Sequence, residues 1–307
     1  MGQSTSEAEA IIGESDQLRS VDAIEFLDKG FSDERKYVIW EGGEPTYLLR
    51  ISGIEKLLRR RDDFELLRTH HNRGIRCSPP LEFGIDRRSR LCYALLGYIP
   101  GESGSDAIPK LPDSVQYEIG MDAGQELWAL HQLKHPTGNF DWFDVRVAKY
   151  HSKVIQAREH GLTFRGQAKV ERYIDTNISL LRESQVRFQH DDYHSDNLIV
   201  REGKLQGVID FNRCDWGDPV EDFYKVPWFT TTISIPFARG QVEGYLDVAS
   251  PDRFWERYNL LVALNLHGSL IFALQENMDW WPERLDRIVS EHDFEKGGPP
   301  GWFVEGS

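Results

Sequence analysis

Residues 190 to 197 read His190-Asp191-Asp192-Tyr193-His194-Ser195-Asp196-Asn197, a spacing of His-x-Asp-x-x-x-x-Asn. Thirteen positions after Asn197 comes Asp210, in Val208-Ile209-Asp210-Phe211-Asn212. Phosphoryl transfer to a hydroxyl needs this set of groups. One Asp accepts the proton of the attacking hydroxyl, while an Asn and a second Asp hold a divalent cation on the triphosphate. Such transfer demands positioning and charge neutralisation more than covalent chemistry. Hard oxygen ligands suit Mg²⁺, and few are needed because phosphates and waters complete its shell. Read as a metal hydrolase site, His190, Asp192, His194 and Asp196 are all possible ligands. That reading leaves Asn197 and Asp210 without a role.

Outward from this loop, residues 198–200 and 205–209 read as a hairpin with Glu202-Gly203 at its turn. A long helix follows Pro251, through Phe254, Tyr258, Leu261, Leu264 and Leu270. Upstream, a helix capped by Asp113 or Ser114 carries the stripe Tyr117, Met121, Gly124, Trp128 and His131. Val170, Tyr173, Ile174, Ile178 and Leu181 form another stripe. The first hundred residues look different. Residues 37–40 and 47–51 are strand-like around a turn at 41–45, residues 54–72 read as a charged helix ended by Gly74, and residues 91–99 as an apolar strand. The expected division is a flexible tail over 1–20, a first lobe over 21–98 and a second over 99–307.

The motifs resemble those of the aminoglycoside phosphotransferase and choline kinase-like superfamily, relatives of the protein kinases. That signature is His-Gly-Asp, a variable segment, Asn, then Ile-Asp-Phe or Ile-Asp-Trp, Gly-Asp-Pro and a further Asp. Here it is matched by His190-Asp191-Asp192, Asn197, Ile209-Asp210-Phe211, Gly217-Asp218-Pro219 and Asp222-Phe223. Asp191 stands where Gly is usual. The resemblance spans about 28–280 and is densest over 188–226. It implies an α+β, bilobal, protein kinase-like fold with a small β-rich N-lobe and a larger, mainly helical C-lobe.

Carried over residue by residue, the resemblance makes Asp192 the catalytic base and Asn197 and Asp210 the Mg²⁺ ligands. His190 braces the loop, and Asp218 supports it from below. In the first lobe, Ser32 of Gly30-Phe31-Ser32-Asp33 belongs to the loop over the phosphates. Arg50 stands where the family has Lys, with Glu65 as its partner from the helix. Gly97 and Tyr98 form the inter-lobe hinge that meets the base of ATP or GTP. Asp191, Asp215 and Glu221 are candidate acceptor contacts.

Composition narrows the classes. Net charge is −14, which disfavours a broad nucleic-acid surface. The one basic run, Arg59-Arg60-Arg61, is followed by Asp62-Asp63 and reads as a solvated helix face. His70 and His71 read as surface residues. No membrane span is expected, and three scattered cysteines suit a reducing cytoplasm. The acidic balance points to a cationic, hydroxylated small molecule as acceptor. The expected activity is therefore that of an aminoglycoside-type antibiotic kinase. The alternatives are a housekeeping kinase for choline, ethanolamine, homoserine or a sugar, and a nucleotide-binding pseudokinase.

Overall fold

The computed structural model describes residues 5–15, 17–18, 20–28, 34–137, 140–249 and 251–304. Two compact units result, Met1–Glu102 with Gln206–Asn212, and Ser103–Leu205 with Arg213–Ser307. The architecture is α+β and protein kinase-like. The sequence places the first boundary near Tyr98 and keeps each lobe continuous. The structure instead carries the first unit on to Glu102 and adds 206–212 to it. That segment is held there by a parallel bridge between Cys77 and Val208, and Val208 N–H donates to the Arg76 carbonyl at 2.7 Å.

The first unit opens with helix α1 (Ser6–Glu14), where a flexible tail was expected. Ala8 and Ile11 of α1, with Leu18, join the core, and this apolar anchorage orders a segment whose composition is polar. Five antiparallel strands follow, β1 (Ala23–Phe26), β2 (Arg35–Glu41) and β3 (Glu44–Gly53), then, after helix α2 (Leu57–Asn72), β4 (Pro80–Asp86) and β5 (Leu91–Gly97). Their order is β1-β2-β3-β5-β4. Successive side chains point to opposite faces. Tyr37, Ile39, Leu49, Ile51 and Leu95 enter the core shared with α1. Lys36 and Arg50, directly paired across β2 and β3, take the other face.

In α2 the residues turned inward are Arg60, Phe64, Leu67 and His70. Arg60 and His70 were read as surface residues. A helix this rich in charge gives no clear apolar stripe, so its inward face is set by packing rather than legible in composition. Gly74, at φ +84, ends this region as expected.

The chain enters the second unit within β6 (Glu102–Ser103). Helices α3 (Gly104–Ala107), α4 (Asp113–Leu130), α5 (Trp142–Glu159) and α6 (Gln167–Asn177) lead to β7 (Arg187–Gln189). The cap of α4 is Pro112, and Asp113 is already helical. Then come β8 (Leu198–Arg201), β9 (Lys204–Val208) and β10 (Asp215–Gly217), which pairs antiparallel with β7. Glu202 and Gly203 turn between β8 and β9 with positive φ. The chain ends in α7 (Thr231–Ile233), α8 (Ile235–Ala249), α9 (Phe254–Gln275), α10 (Trp281–Glu291) and α11 (Gly301–Val304). By length and composition α9 is long and apolar enough to cross a membrane, but 61% of its apolar window is buried. Such burial is that of a core helix.

Candidate active site

The candidate loop of the second unit, residues 190–197, starts as β7 ends. Asp222, buried in the turn Pro219–Lys225, accepts from the backbone N–H of His190 at 2.9 Å and of Asp191 at 2.6 Å. Its other ties are to His131 Nε2 at 2.9 Å, whose Nδ1 meets the Tyr245 hydroxyl at 2.9 Å. Asp222 is thus the support from below that was assigned to Asp218. Asp218 caps its own turn through Val220 N–H and pairs with Arg257 at 2.7 Å. His190 is fully buried, edge-on to Tyr193, and braces the loop through packing and its backbone. The Tyr193 hydroxyl donates to the Ala123 carbonyl of α4 at 2.7 Å.

Asp191 has φ +56. This left-handed backbone explains the usual Gly, and Asp is among the few other residues that adopt it readily. Burial pushes the Asp191 carboxyl up to about 7, against the pull of Lys149 and Lys225.

Asp192 is the most heavily tied group of the loop. Its Oδ1 lies 2.9 Å from Lys225 Nζ and 3.4 Å from His194 Nε2. Its Oδ2 accepts from Asn197 Nδ2 at 3.2 Å, and Arg213 stands 3.9 Å away. Burial alone would raise this carboxyl, but the His194 hydrogen bond and the Lys225 charge outweigh it and hold it ionised far below the usual range. Lys225 is itself buried, and the Asp192 carboxylate 2.9 Å away overcomes that burial and keeps it charged. Asn197 closes a 3-10 turn over Ser195–Asn197 and donates to the Asp192 carbonyl at 2.8 Å. Ser105 of α3 hydrogen-bonds Asp196 on the far side of the turn.

The candidate acceptor contacts separate. Glu221 is buried and paired with Arg146 at 2.7 Å, with Asn265 at 3.3 Å, so its charge is already neutralised. Asp215 is exposed at the start of β10, opposite Gln189. Phe229, in the π-helical turn Val226–Thr230, stacks on His194 with ring centroids 4.8 Å apart.

The first unit holds a cavity of mixed charged and apolar lining on the sheet face opposite its core. Glu34, Lys36, Arg50, Ser52, Arg60, Asp63, Asp210 and Asn212 line it, with Leu48, Ala94, Leu96 and Phe211 as apolar wall. Asp210 sits here at φ +64. Arg50 binds Glu34 and donates to Asn212 Oδ1 at 2.6 Å. Glu65, expected to pair with Arg50, lies on the exposed side of α2 and pairs with Arg68. The helix acid that lines the cavity is Asp63, two positions earlier, hydrogen-bonded to Arg60 at 3.0 Å. Burial raises the Asp63 carboxyl and lowers the Lys36 ammonium, the latter against the attraction of Asp210. Ser32 lies outside the described residues. The N–H groups of Gly97 and Tyr98 donate to the Pro79 and Thr46 carbonyls, and their neighbour Leu96 lines the cavity. Sequence reading misses Glu34, Lys36, Asp63 and Lys225. The period-2 pattern of β2 held a signal for Lys36, but placing it beside Arg50 needs the strand register.

Comparison with known proteins gives the family and the fold. The phosphotransferase enzyme family, APH, matches over residues 23–261. The chain belongs to that family. Among solved structures, the gentamicin complex of APH(2'')-IIa has a TM-score of 0.64 at 16% identity, covering 99% of each chain. ADP-bound aminoglycoside phosphotransferase APH(2'')-Ib gives 0.64 at 16%, covering 98% of this chain and 100% of that one. A ternary complex of aminoglycoside phosphotransferase APH(4)-Ia with AMP-PNP and hygromycin B gives 0.60 at 20%, covering 94% and 98%. At such identities the likeness is one of fold. No curated protein matches the chain.

Proposed function

We propose that this protein is a cytoplasmic, Mg²⁺-dependent kinase that moves the γ-phosphate of ATP or GTP to a hydroxyl of a small molecule. One observation carries the reading. The Asp192 carboxylate is held ionised by Lys225, His194 and Asn197 on a loop pinned by Asp222. A positioned carboxylate of this kind serves as acceptor of the hydroxyl proton. Asn197 and Asp210 supply an amide and a carboxylate, donors whose hardness fits Mg²⁺. When bound, the ion neutralises charge on the triphosphate oxygens. Lys225 fixes Asp192 through its first oxygen, so the carboxylate does not rotate away from the incoming hydroxyl. Phe229, stacked on His194, gives that neighbourhood an aromatic surface against which a ring-bearing acceptor packs.

For the acceptor, an aminoglycoside-type antibiotic is the first reading. It rests on the ligands named for gentamicin- and hygromycin-bound structures of similar fold and on the net charge of −14. A metabolite alcohol is the second. It is favoured by Lys225 and Arg213 beside the base and by the loss of Glu221 to Arg146. Incubation with γ-labelled ATP or GTP, Mg²⁺ and a panel of aminoglycosides and metabolite alcohols tests both. Labelled product from one class selects it. Absence of turnover with every acceptor, despite nucleotide binding, would leave the chain a pseudokinase and sink the enzymatic reading.

A further inference from the structure

The cavity of the first unit contains three cations, Lys36, Arg50 and Arg60, and three carboxylates, Glu34, Asp63 and Asp210. They are not equivalent. Arg50 is engaged by Glu34 and by Asn212 Oδ1 at 2.6 Å. Arg60 is engaged by Glu34 at 3.2 Å, Asp63 at 3.0 Å and the Ser52 hydroxyl at 3.3 Å. Arg60 is held through Nε and Nη1 and Arg50 through Nη2, and these contacts tie β3 to α2 and to the segment after Asp210. Lys36 sits opposite Arg50 across the β2–β3 ladder, on the same face. Asp210 and Glu34 line the same cavity as Lys36.

We propose that Lys36, and not Arg50, is the cation that grips the phosphate chain of the nucleotide, with Arg50 acting as a brace. The inference rests on the kinase reading above and deepens it. Two features of the side chains support the exchange of roles. An ammonium on a flexible four-carbon stem follows a triphosphate as a point charge, whereas a planar guanidinium held by a carboxylate and an amide oxygen is fixed in direction. Were Asp210 to hold a divalent cation, its charge would be spent on that ion, and Lys36 would be left for a phosphate oxygen. Arg50 then keeps its positive charge for architecture, while the phosphate contact lies one strand over at Lys36.

Two measurements test this on the full-length protein. The first is binding of a fluorescent ATP analogue in the presence of Mg²⁺, with adenosine as the phosphate-free comparison. Lys36→Met is expected to weaken ATP binding by about tenfold or more, the order of one charge-assisted contact, and to leave adenosine binding unchanged. Lys36→Arg should recover part of the loss. Arg50→Met should lower the melting temperature and weaken ATP less than Lys36→Met does. The second uses an acyl-phosphate derivative of ATP, which transfers its acyl group to an amine beside the phosphates. The amide forms at the lysine Nζ, the acyl–oxygen bond breaks, and ATP and a proton leave. Peptide mass spectrometry should find the acyl group on Lys36, suppressed by excess ATP. Wild-type ATP affinity in Lys36→Met together with ATP-protected label on another lysine would overturn the proposal and leave the kinase reading intact. Failure of the wild-type protein to bind any nucleotide would overturn both.

Discussion

Asp191 and Asp192 are adjacent and opposite in character. Asp192 is held ionised by Lys225 and His194, while Asp191, next to it, is pushed up to about 7 by burial. Asp192→Asn keeps the size of the side chain but cannot accept a proton. Steady-state kinetics should show turnover falling roughly 10²-fold or more, the usual order for a lost general base, with nucleotide affinity nearly unchanged. Asp191→Asn should cost far less turnover; the reverse ranking would mean that the loop register is off by one. Asp191 also makes a stability prediction. Its folded pKa lies above its unfolded value near 3.8, so the native state holds this proton while the unfolded chain loses it. Stability contributed by that proton is present below about pH 4 and drains away up to about pH 7. Asp191→Asn escapes the loss. Thermal unfolding should therefore show the variant gaining on the wild type between pH 4 and pH 7, by on the order of 2 kcal/mol after allowance for partial exposure. An advantage independent of pH would rule out this titration. Asp192, Asn197 and Asp210 stand out as candidates in the sequence because their spacing along the chain alone marks them. Lys36, Glu34, Asp63 and Lys225 do not, because strand register and helix face decide which charges meet.

Among the elements, two devices shape the second unit. One is the packing of α4 on α8. Gly120 and Gly124 face Gly240 and Gly244, so the two backbones meet with no side chain between them. A Cβ on Gly124 would collide with the Gln241 carbonyl oxygen, which is backbone and cannot swing aside. Gly124→Ala should destabilise the protein by about 1–3 kcal/mol, the usual cost of overpacking, measurable by urea unfolding. A neutral or stabilising result would mean that the helices separate freely. The same substitution on an exposed helix would stabilise, since Ala is the better helix former. The other device is the π-helical turn after Lys225. Such turns are rare and frequently mark functional sites; this one brings Phe229 onto His194 while Lys225 reaches Asp192. Lys225→Met should lower kcat by about 10²-fold through a misdirected carboxylate, leave nucleotide affinity unchanged, and be partly rescued by added methylamine. An equal fall in nucleotide affinity would instead point to collapse of the unit. Helix existence was mostly legible from apolar periodicity, as in α6, where Val170, Tyr173 and Ile174 are buried. In α4 the buried face runs through Gln116, Ile119, Ala123, Leu127 and Leu130, a stripe rotated from the one read, because glycines rather than large residues mark the contact. For α1, whose first turn is acidic, burial of Ala8 and Ile11 decides, and neither stands out in a polar tail.

At the scale of the molecule, the acidic balance and the local charges of the site pull toward different acceptors. Thirty-six basic against fifty acidic side chains give a field that draws polycations to the protein. Near Asp192 the balance is different. Lys225 and Arg213 flank Asp192, Glu221 is closed off by Arg146, and of the named acceptor contacts Asp215 remains exposed and Asp191 ionises only near neutrality. A long-range field and a local contact respond differently to salt. Attraction by exposed charges is screened over about 10 Å at 0.1 M ionic strength, whereas a desolvated pair is screened much less. For an aminoglycoside acceptor, KM should rise several-fold between low and high salt while kcat holds, because the field gathers the substrate and the chemistry follows at Asp192. A metabolite alcohol that is neutral should show a KM indifferent to salt, and one bearing an anion should show a KM that falls as salt screens the overall repulsion. The same measurement on a charge-reversed Asp215→Lys variant separates field from contact. Under the aminoglycoside reading its KM should rise at every ionic strength, because a side chain beside the loop has changed sign. If KM for the accepted aminoglycoside is flat with salt and untouched by Asp215→Lys, the acidic surface plays no part in acceptor capture, and the polycation argument from net charge fails.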